Sequence, residues 1–158
     1  MPEDQDNPTP LDGLATLQAW IAAGWRPPMA ETLDIRLVEV SKGRAVFTGT
    51  PGERAYNPLG VVHGGYSTTM LDSACGCAVH ASLAANQTYT TLELKVAFHR
   101  AMRSDTGPVR AEGTVLSIGR RVAFAEARLI DANGRLYATA TSTLLVMDRN
   151  APRGTSAR

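Results

Sequence analysis

Lysine is nearly absent from this chain: Lys42 and Lys95 are the only two in 158 residues. The positive charge is therefore almost all arginine. Arginine forks suit bidentate phosphate binding, although genomic base composition explains the same bias equally well. Charge of one sign is lacking too. Sixteen basic against fifteen acidic residues leave a net charge of +1, which gives no global pull toward nucleic acid or membrane. Aromatics are only 6% of the chain and do not interleave with basic residues, so no RNA-binding pattern is present. The two cysteines, Cys75 and Cys77, are two positions apart. On a helix they point in different directions, so neither a disulfide nor a metal pair is expected, and both read as small buried side chains. His63, His80 and His99 are scattered and form no metal motif. GxGxxG, P-loop and GxSxG sequences are missing. The N-terminus is acidic and contains proline, unlike a secretory signal. The least polar stretch carries too many Gly, Ser, Thr, His and Asp residues for a membrane span. A cytoplasmic enzyme or binding protein, with no metal or cofactor, is the expectation.

What is present is an ordinary globular composition, 44% hydrophobic and 20% charged, long enough for one domain with a substantial core. Residues 1–10 read as disordered, 11–148 as a single domain and 149–158 as a loose tail. LDGLATLQAWIAAGW sets Leu14, Leu17, Trp20, Ile21 and Gly24 at helical spacing; it predicts a short amphipathic helix ended by Gly24 and Pro27-Pro28. LDIRLVEV and RAVFTGTP, joined by Ser41-Lys42-Gly43, read as a hairpin. GERAYNPLGVV is a loop. HGGYSTTMLDSACGCAVHASLAA, from His63 to Ala85, predicts a long helix buried on most sides. Four strand candidates follow: TTLELKVAFHRA, PVRAEGTVLSIG, RRVAFAEARLIDA and RLYATATSTLLVM. Alternation is read in Leu92, Leu94, Val96 and Phe98, and in Val122 and Phe124. Turns are marked by Asp105 to Pro108, by Gly119 and by Asp131-Ala132-Asn133-Gly134. The fold class is α+β, with an antiparallel sheet curled around the long helix.

Asp72 is the only formal charge in the helical run, histidines aside. A buried carboxylate without a partner is expensive. Thr68, Thr69, Ser73 or a partner's arginine could tie it up. Gly64, eight positions earlier, stands where the helix should begin, and helix starts offer free N–H groups and a positive dipole end. A carboxylate and an anion-stabilising amide are the parts that thioester or ester hydrolysis needs.

The run Asn57-Pro58-Leu59-Gly60-Val61-Val62-His63-Gly64-Gly65, followed by Asp72, resembles the signature of hotdog-fold acyl-CoA thioesterases. The branch it is most similar to is the PaaI-like (phenylacetic acid degradation) thioesterases, over roughly residues 30–147. The resemblance implies the hotdog fold, a curved antiparallel sheet wrapped around a long central helix, here with a short N-terminal helix added. It implies an acyl-CoA substrate and a homodimer, or a homotetramer built from dimers. Asp72 takes the place of the general base or of the nucleophile, and the Gly64 N–H that of the oxyanion donor. Asn57 and His63 match residues that shape the site, although an Asn before Pro also forms turns and a His also caps helices. Thr91 matches a position whose hydroxyl orients water, with Thr88 and Thr90 as competitors in register. Gly65, Arg120 and Arg121 are the candidates for contact with substrate and CoA, with Arg100 and Arg103 behind them. A related branch has Glu at the position of Asp72 and Thr one turn later; this chain has Asp72 and Gly76.

Spacing adds a constraint. Eight helical residues span ~12 Å, so one carbonyl cannot touch both Gly64 and Asp72 of one chain. If both act on one thioester, two helices lie antiparallel and each site joins Gly64 of one subunit to Asp72 of the other, in a C2 dimer. Two rivals share the fold: a non-catalytic acyl-CoA binding module and an acyl-CoA hydratase or dehydratase. The acyl group is not readable. Tyr66, Met70 and Phe98 read equally as pocket wall and as core, and the N-terminal helix as cover for a sheet edge or for the pocket mouth.

Overall fold

The computed structural model describes residues 10–149; the expected disorder of residues 1–9 and the tail beyond 149 lie outside them. Two short helices come first, α1 (Gly13–Ala23) and α2 (Pro28–Leu33). Strands β1 (Ile35–Ser41) and β2 (Arg44–Gly49) lead to the long helix α3 (Gly64–His80). Strands β3 (Gln87–Phe98), β4 (Val109–Ile118), β5 (Val122–Asp131) and β6 (Leu136–Asp148) follow. All pairings are antiparallel, in the order β1-β2-β4-β5-β6-β3. β1 and β3 are thus the two edges, and α3 packs against the sheet between them. No helix among the described residues is long and apolar enough to cross a membrane.

Local chemistry explains the boundaries. Asp12 caps α1 by accepting from the Ala15 N–H at 2.8 Å, and Gly24 ends the helix in the left-handed region at φ 63°. The sequence reading has no α2, because Pro27-Pro28 reads there only as a terminator. Proline is also favoured at the first turn of a helix, and Pro28 starts this one. The central helix stops at His80 rather than running to Ala85, as Ser82 and Leu83 donate back three residues to Val79 and His80 in a tightened last turn. Asp131 builds the final hairpin turn. Its Oδ1 accepts from the Asn133 and Arg135 N–H groups, both at 2.9 Å, and its Oδ2 from the Tyr137 hydroxyl at 3.2 Å. The Arg135 N–H is the main cause that holds this carboxyl below its ordinary pKa. Arg149, assigned to a loose tail by sequence, is tied to Asn86 and Gln87 through its own N–H and Nε.

The inner face of the sheet is built from small residues because α3 lies almost on the backbone. Ala111, Ala123, Ala125, Ala127, Ala138 and Ala140 are all buried. In β5 this corrects the alternation read from Val122 and Phe124: the buried set is the alanines, and Phe124 is 47% exposed. Gly113 of β4 is the tightest point, since a Cβ there would overlap the carbonyl of Ala74 on α3. Both atoms in the way are backbone, so neither side yields cheaply. Gly113→Ala is expected to cost ~1–3 kcal/mol by overpacking, a melting temperature lower by roughly 2–12 °C for a chain of this size. A thermal melt monitored by circular dichroism checks it; an unchanged midpoint would mean that α3 sits further from β4.

Strand β3 carries a bulge. Thr91 pairs with Leu144 and Glu93 with Thr143, leaving Leu92 as the extra residue. Leu92 is 59% exposed, and Phe98 at the strand's end is exposed as well. The predicted alternation therefore holds only for Leu94 and Val96, which pack on the core. The bulge also turns the first half of β3, so that Thr91 joins Leu94 and Val96 on the helix side.

Candidate active site

Asp72 lies midway along α3 and faces a cavity lined in part by β1, β2 and β3. It is half-buried. The Thr91 hydroxyl donates to its Oδ1 at 3.1 Å. Two of the other hydroxyls considered for it are used elsewhere, Thr68 donating to the Gly64 carbonyl and Thr69 to that of Gly65, both at 2.9 Å, while Ser73 shares the cavity wall without bonding to Asp72. Among the described residues, no ion pair neutralises Asp72. The bulge in β3 decides which threonine meets it, because Thr90 points outward and is exposed.

Asp72, Thr91, Thr69 and Ser73 open into a cavity of about 300 Å³ that is otherwise mostly apolar. Among the described residues, Asp72 is its only carboxylate. Gly76 also lines it, and a Cβ there would come within 2.8 Å of the Tyr89 hydroxyl. A threonine one turn after Asp72 has no room, which gives the glycine a steric reason. Cys77 faces the cavity while Cys75 is buried on the sheet side. Burial first, and the Asp72 charge second, push both thiols up to about 12. Both stay protonated at neutral pH, so neither is a nucleophile. A broader groove of about 760 Å³ crosses the outer face of the sheet. It contains none of the candidate site residues read from the sequence.

A second group of predicted residues collects at the start of α3. The backbone of Asn57 to Val61 folds into a closed loop, with the Asn57 N–H donating to the Val61 carbonyl at 2.8 Å. The Asn57 side chain holds that loop by accepting from the Leu59 N–H at 2.9 Å. His63 caps the helix: its Nδ1 accepts from the Gly65 N–H at 2.8 Å. That bond places any ring proton of neutral His63 on Nε2. It also occupies the Gly65 amide, whereas the Gly64 N–H has no partner among the described residues. The Phe98 ring stands beside Gly64, 3.0 Å from where a Cβ would be. Tyr66 and Met70 are core residues, and neither they nor Phe98 line the Asp72 cavity.

Within one chain the predicted residues thus form two groups on one helix, Asp72 with Thr91, and Asn57 with His63, Gly64 and Gly65. Arg120 and Arg121 make a third. They sit exposed at the β4–β5 turn, with no ion pair among the described residues and outside the cavity lining. Arg100 and Arg103 are exposed as well. The residues that sequence reasoning missed are Trp20, Trp25, Tyr89 and Arg26, all of which line the cavity. The helical spacing of Trp20 in α1 was visible, but its destination depends on where α1 docks.

Residues 59–138 match the model of the Thioesterase superfamily. The 1,4-dihydroxy-2-naphthoyl-CoA hydrolase of Listeria monocytogenes is 28% identical over 118 residues, covering 75% of this chain and 94% of that protein. A thioesterase family protein of Silicibacter pomeroyi superposes with a TM-score of 0.74 at 26% identity, over 84% of this chain and 98% of the other. A phenylacetic acid degradation-related protein of Ralstonia eutropha gives 0.72 at 27% identity, over 82% and 98%. The chain belongs to the thioesterase superfamily, and its six-stranded sheet curled around one buried helix is the hotdog fold of the PaaI-like members.

Proposed function

We propose that this protein hydrolyses acyl-CoA thioesters as a homodimer with two shared sites. The observation that carries the reading is the pair of groups on α3: a lone carboxylate in an apolar cavity and, about 12 Å away along the helix, an unpartnered amide at a helix start. Neither group has another structural task among the described residues.

In this reading the Thr91 hydroxyl fixes Asp72 through Oδ1 and leaves Oδ2 to accept a proton from water. The water oxygen attacks the thioester carbonyl carbon. The carbonyl oxygen takes up the charge and accepts from the Gly64 N–H of the other subunit, aided by the helix dipole. Collapse breaks the C–S bond, and the CoA thiolate leaves and takes up a proton. Acid and CoA are the products. In the alternative course Asp72 itself attacks, and water then cleaves the mixed anhydride. His63 supports either course by holding the helix start in shape and occupying the neighbouring amide, so that the Gly64 N–H alone is offered.

The dimer has a structural opening. β3 is a 12-residue edge strand bonded on one side only, and such an edge is a template for pairing. Exposed Leu92 and Phe98 lie along it. Two β3 strands paired antiparallel about a twofold axis would set two α3 helices antiparallel, as the spacing demands. A tetramer follows by family likeness. Arg120 and Arg121 supply forks for the CoA phosphates, and the substrate otherwise needs no cofactor.

The test is thiol release from a panel of short, medium, long and aromatic acyl-CoAs. Hydrolysis of at least one class is expected. CoA binding without hydrolysis of any member would overturn the reading in favour of a binding module.

A further inference from the structure

The proposed chemistry makes no use of the N-terminal segment, and the superfamily match begins only at residue 59. Yet α1 and α2 are fixed to the domain at both ends. The Gly13 N–H donates to the Leu83 carbonyl at 3.0 Å, and a Cβ on Gly13 would overlap the His80 carbonyl. Leu17 is completely buried. At the other end Arg26 donates to Asp34 at 3.1 Å, and Arg36 binds the same oxygen at 3.2 Å. Between these anchors the Trp20 and Trp25 rings lie 4.6 Å apart, and Trp20 meets the His80 ring edge-on at 6.0 Å. Both indoles wall the Asp72 cavity, together with Met29, Leu37, Phe47 and Tyr89.

We propose that this α1–α2 strap is an acyl-length gauge, with Trp20 and Trp25 limiting the size of the acyl group admitted beside Asp72. The inference rests on the acyl-CoA reading and adds to it a specificity element. A cavity of about 300 Å³ is at the low end for a small-molecule site, roughly 300–1,000 Å³. That volume suits a compact apolar acyl group, and on this proposal a longer one enters only if an indole moves. Trp25 is the movable wall. It is 49% exposed, so its truncation opens the cavity toward solvent without emptying the core. Trp20 is held by its neighbours and forms the fixed wall. Large rigid aromatic rings suit this task because they lose little conformational freedom in holding a boundary.

The two indoles also provide the readout, since they are the only tryptophans in the chain. Asp72→Asn protein, chosen because its turnover is expected to be slow, is titrated with straight-chain acyl-CoAs of increasing length and with CoA alone. Tryptophan emission and calorimetric affinity are recorded together. Acyl-CoA is expected to shift the emission, and CoA alone to leave it unchanged. Affinity should rise to a limiting length and then fall, by roughly tenfold for a methylene that no longer fits. Adding Trp25→Ala should move the limit to longer chains, and Trp25→Leu should move it partway. Binding with unchanged emission, or an unmoved limit in both folded variants, overturns the gauge. Absence of acyl-CoA binding at any length overturns the hydrolase reading itself, and the gauge falls with it.

Discussion

Asp72→Asn is expected to lower kcat by roughly 10²–10⁴-fold, the range of a positioned general base, with the melting temperature nearly unchanged. Asparagine keeps the size of the side chain and an oxygen that accepts from Thr91, so the 3.1 Å hydrogen bond survives. What it loses is the ability to take a proton from water or to attack a carbonyl. The loss therefore separates charge and basicity from packing. Asp72 has no ion-pair partner among the described residues and is half-buried, so no broken network accompanies the change. Steady-state kinetics on the best acyl-CoA, beside a thermal melt, check it. Near-wild-type kcat in a folded Asp72→Asn protein would remove the carboxylate from the mechanism. The cysteines would not replace it, since burial keeps both thiols protonated.

Much of this site is legible in the sequence because its two groups lie on one helix. A long run of small and apolar residues marks α3, and the single charge in that run singles out Asp72. The partner of Asp72 is not legible in the same way. Leu92, Leu94, Val96 and Phe98 read as one clean alternating strand, which would turn Thr91 to the outside. The bulge at Leu92 breaks that pattern, and nothing in the local sequence announces it. Its effect is to put Tyr89 and Thr91 on the same side as Leu94 and Val96. β5 misleads for a related reason. Its larger side chains, Val122 and Phe124, look like the core, but α3 approaches so closely that only Ala123, Ala125 and Ala127 fit beneath it. Hydrophobicity alone does not carry that information; the distance between helix and sheet does. Trp20 and Trp25 are the third case. The sequence places one on a helix and the other just after its end, and only the docking of Gly13 against His80 brings them to the cavity.

Gly64→Pro is expected to lower kcat by roughly 10²–10³-fold, the loss that follows removal of one oxyanion donor. The substitution deletes the N–H and little else. Gly64 is the first residue of α3, where proline is favoured. His63 before it is extended, at φ −61° and ψ 136°, as a residue preceding proline should be. A Cβ at this position meets only Phe98, an exposed side chain that can swing away. Paired with Asp72→Asn, this variant also tests whether the sites are shared. In a mixed dimer one site joins the intact Gly64 of the chain carrying Asp72→Asn to the intact Asp72 of the chain carrying Gly64→Pro, while the other site lacks both groups. Free reassortment of equal amounts makes half the dimers mixed, each with one working site. Co-expression should then restore about one quarter of wild-type activity from two variants that are each nearly inactive. Differently tagged chains confirm by sequential purification that mixed dimers form. Mixed dimers without restored activity would mean that each chain builds its site alone, and the distance from Gly64 to Asp72 along α3 would then exclude one of the two from the chemistry.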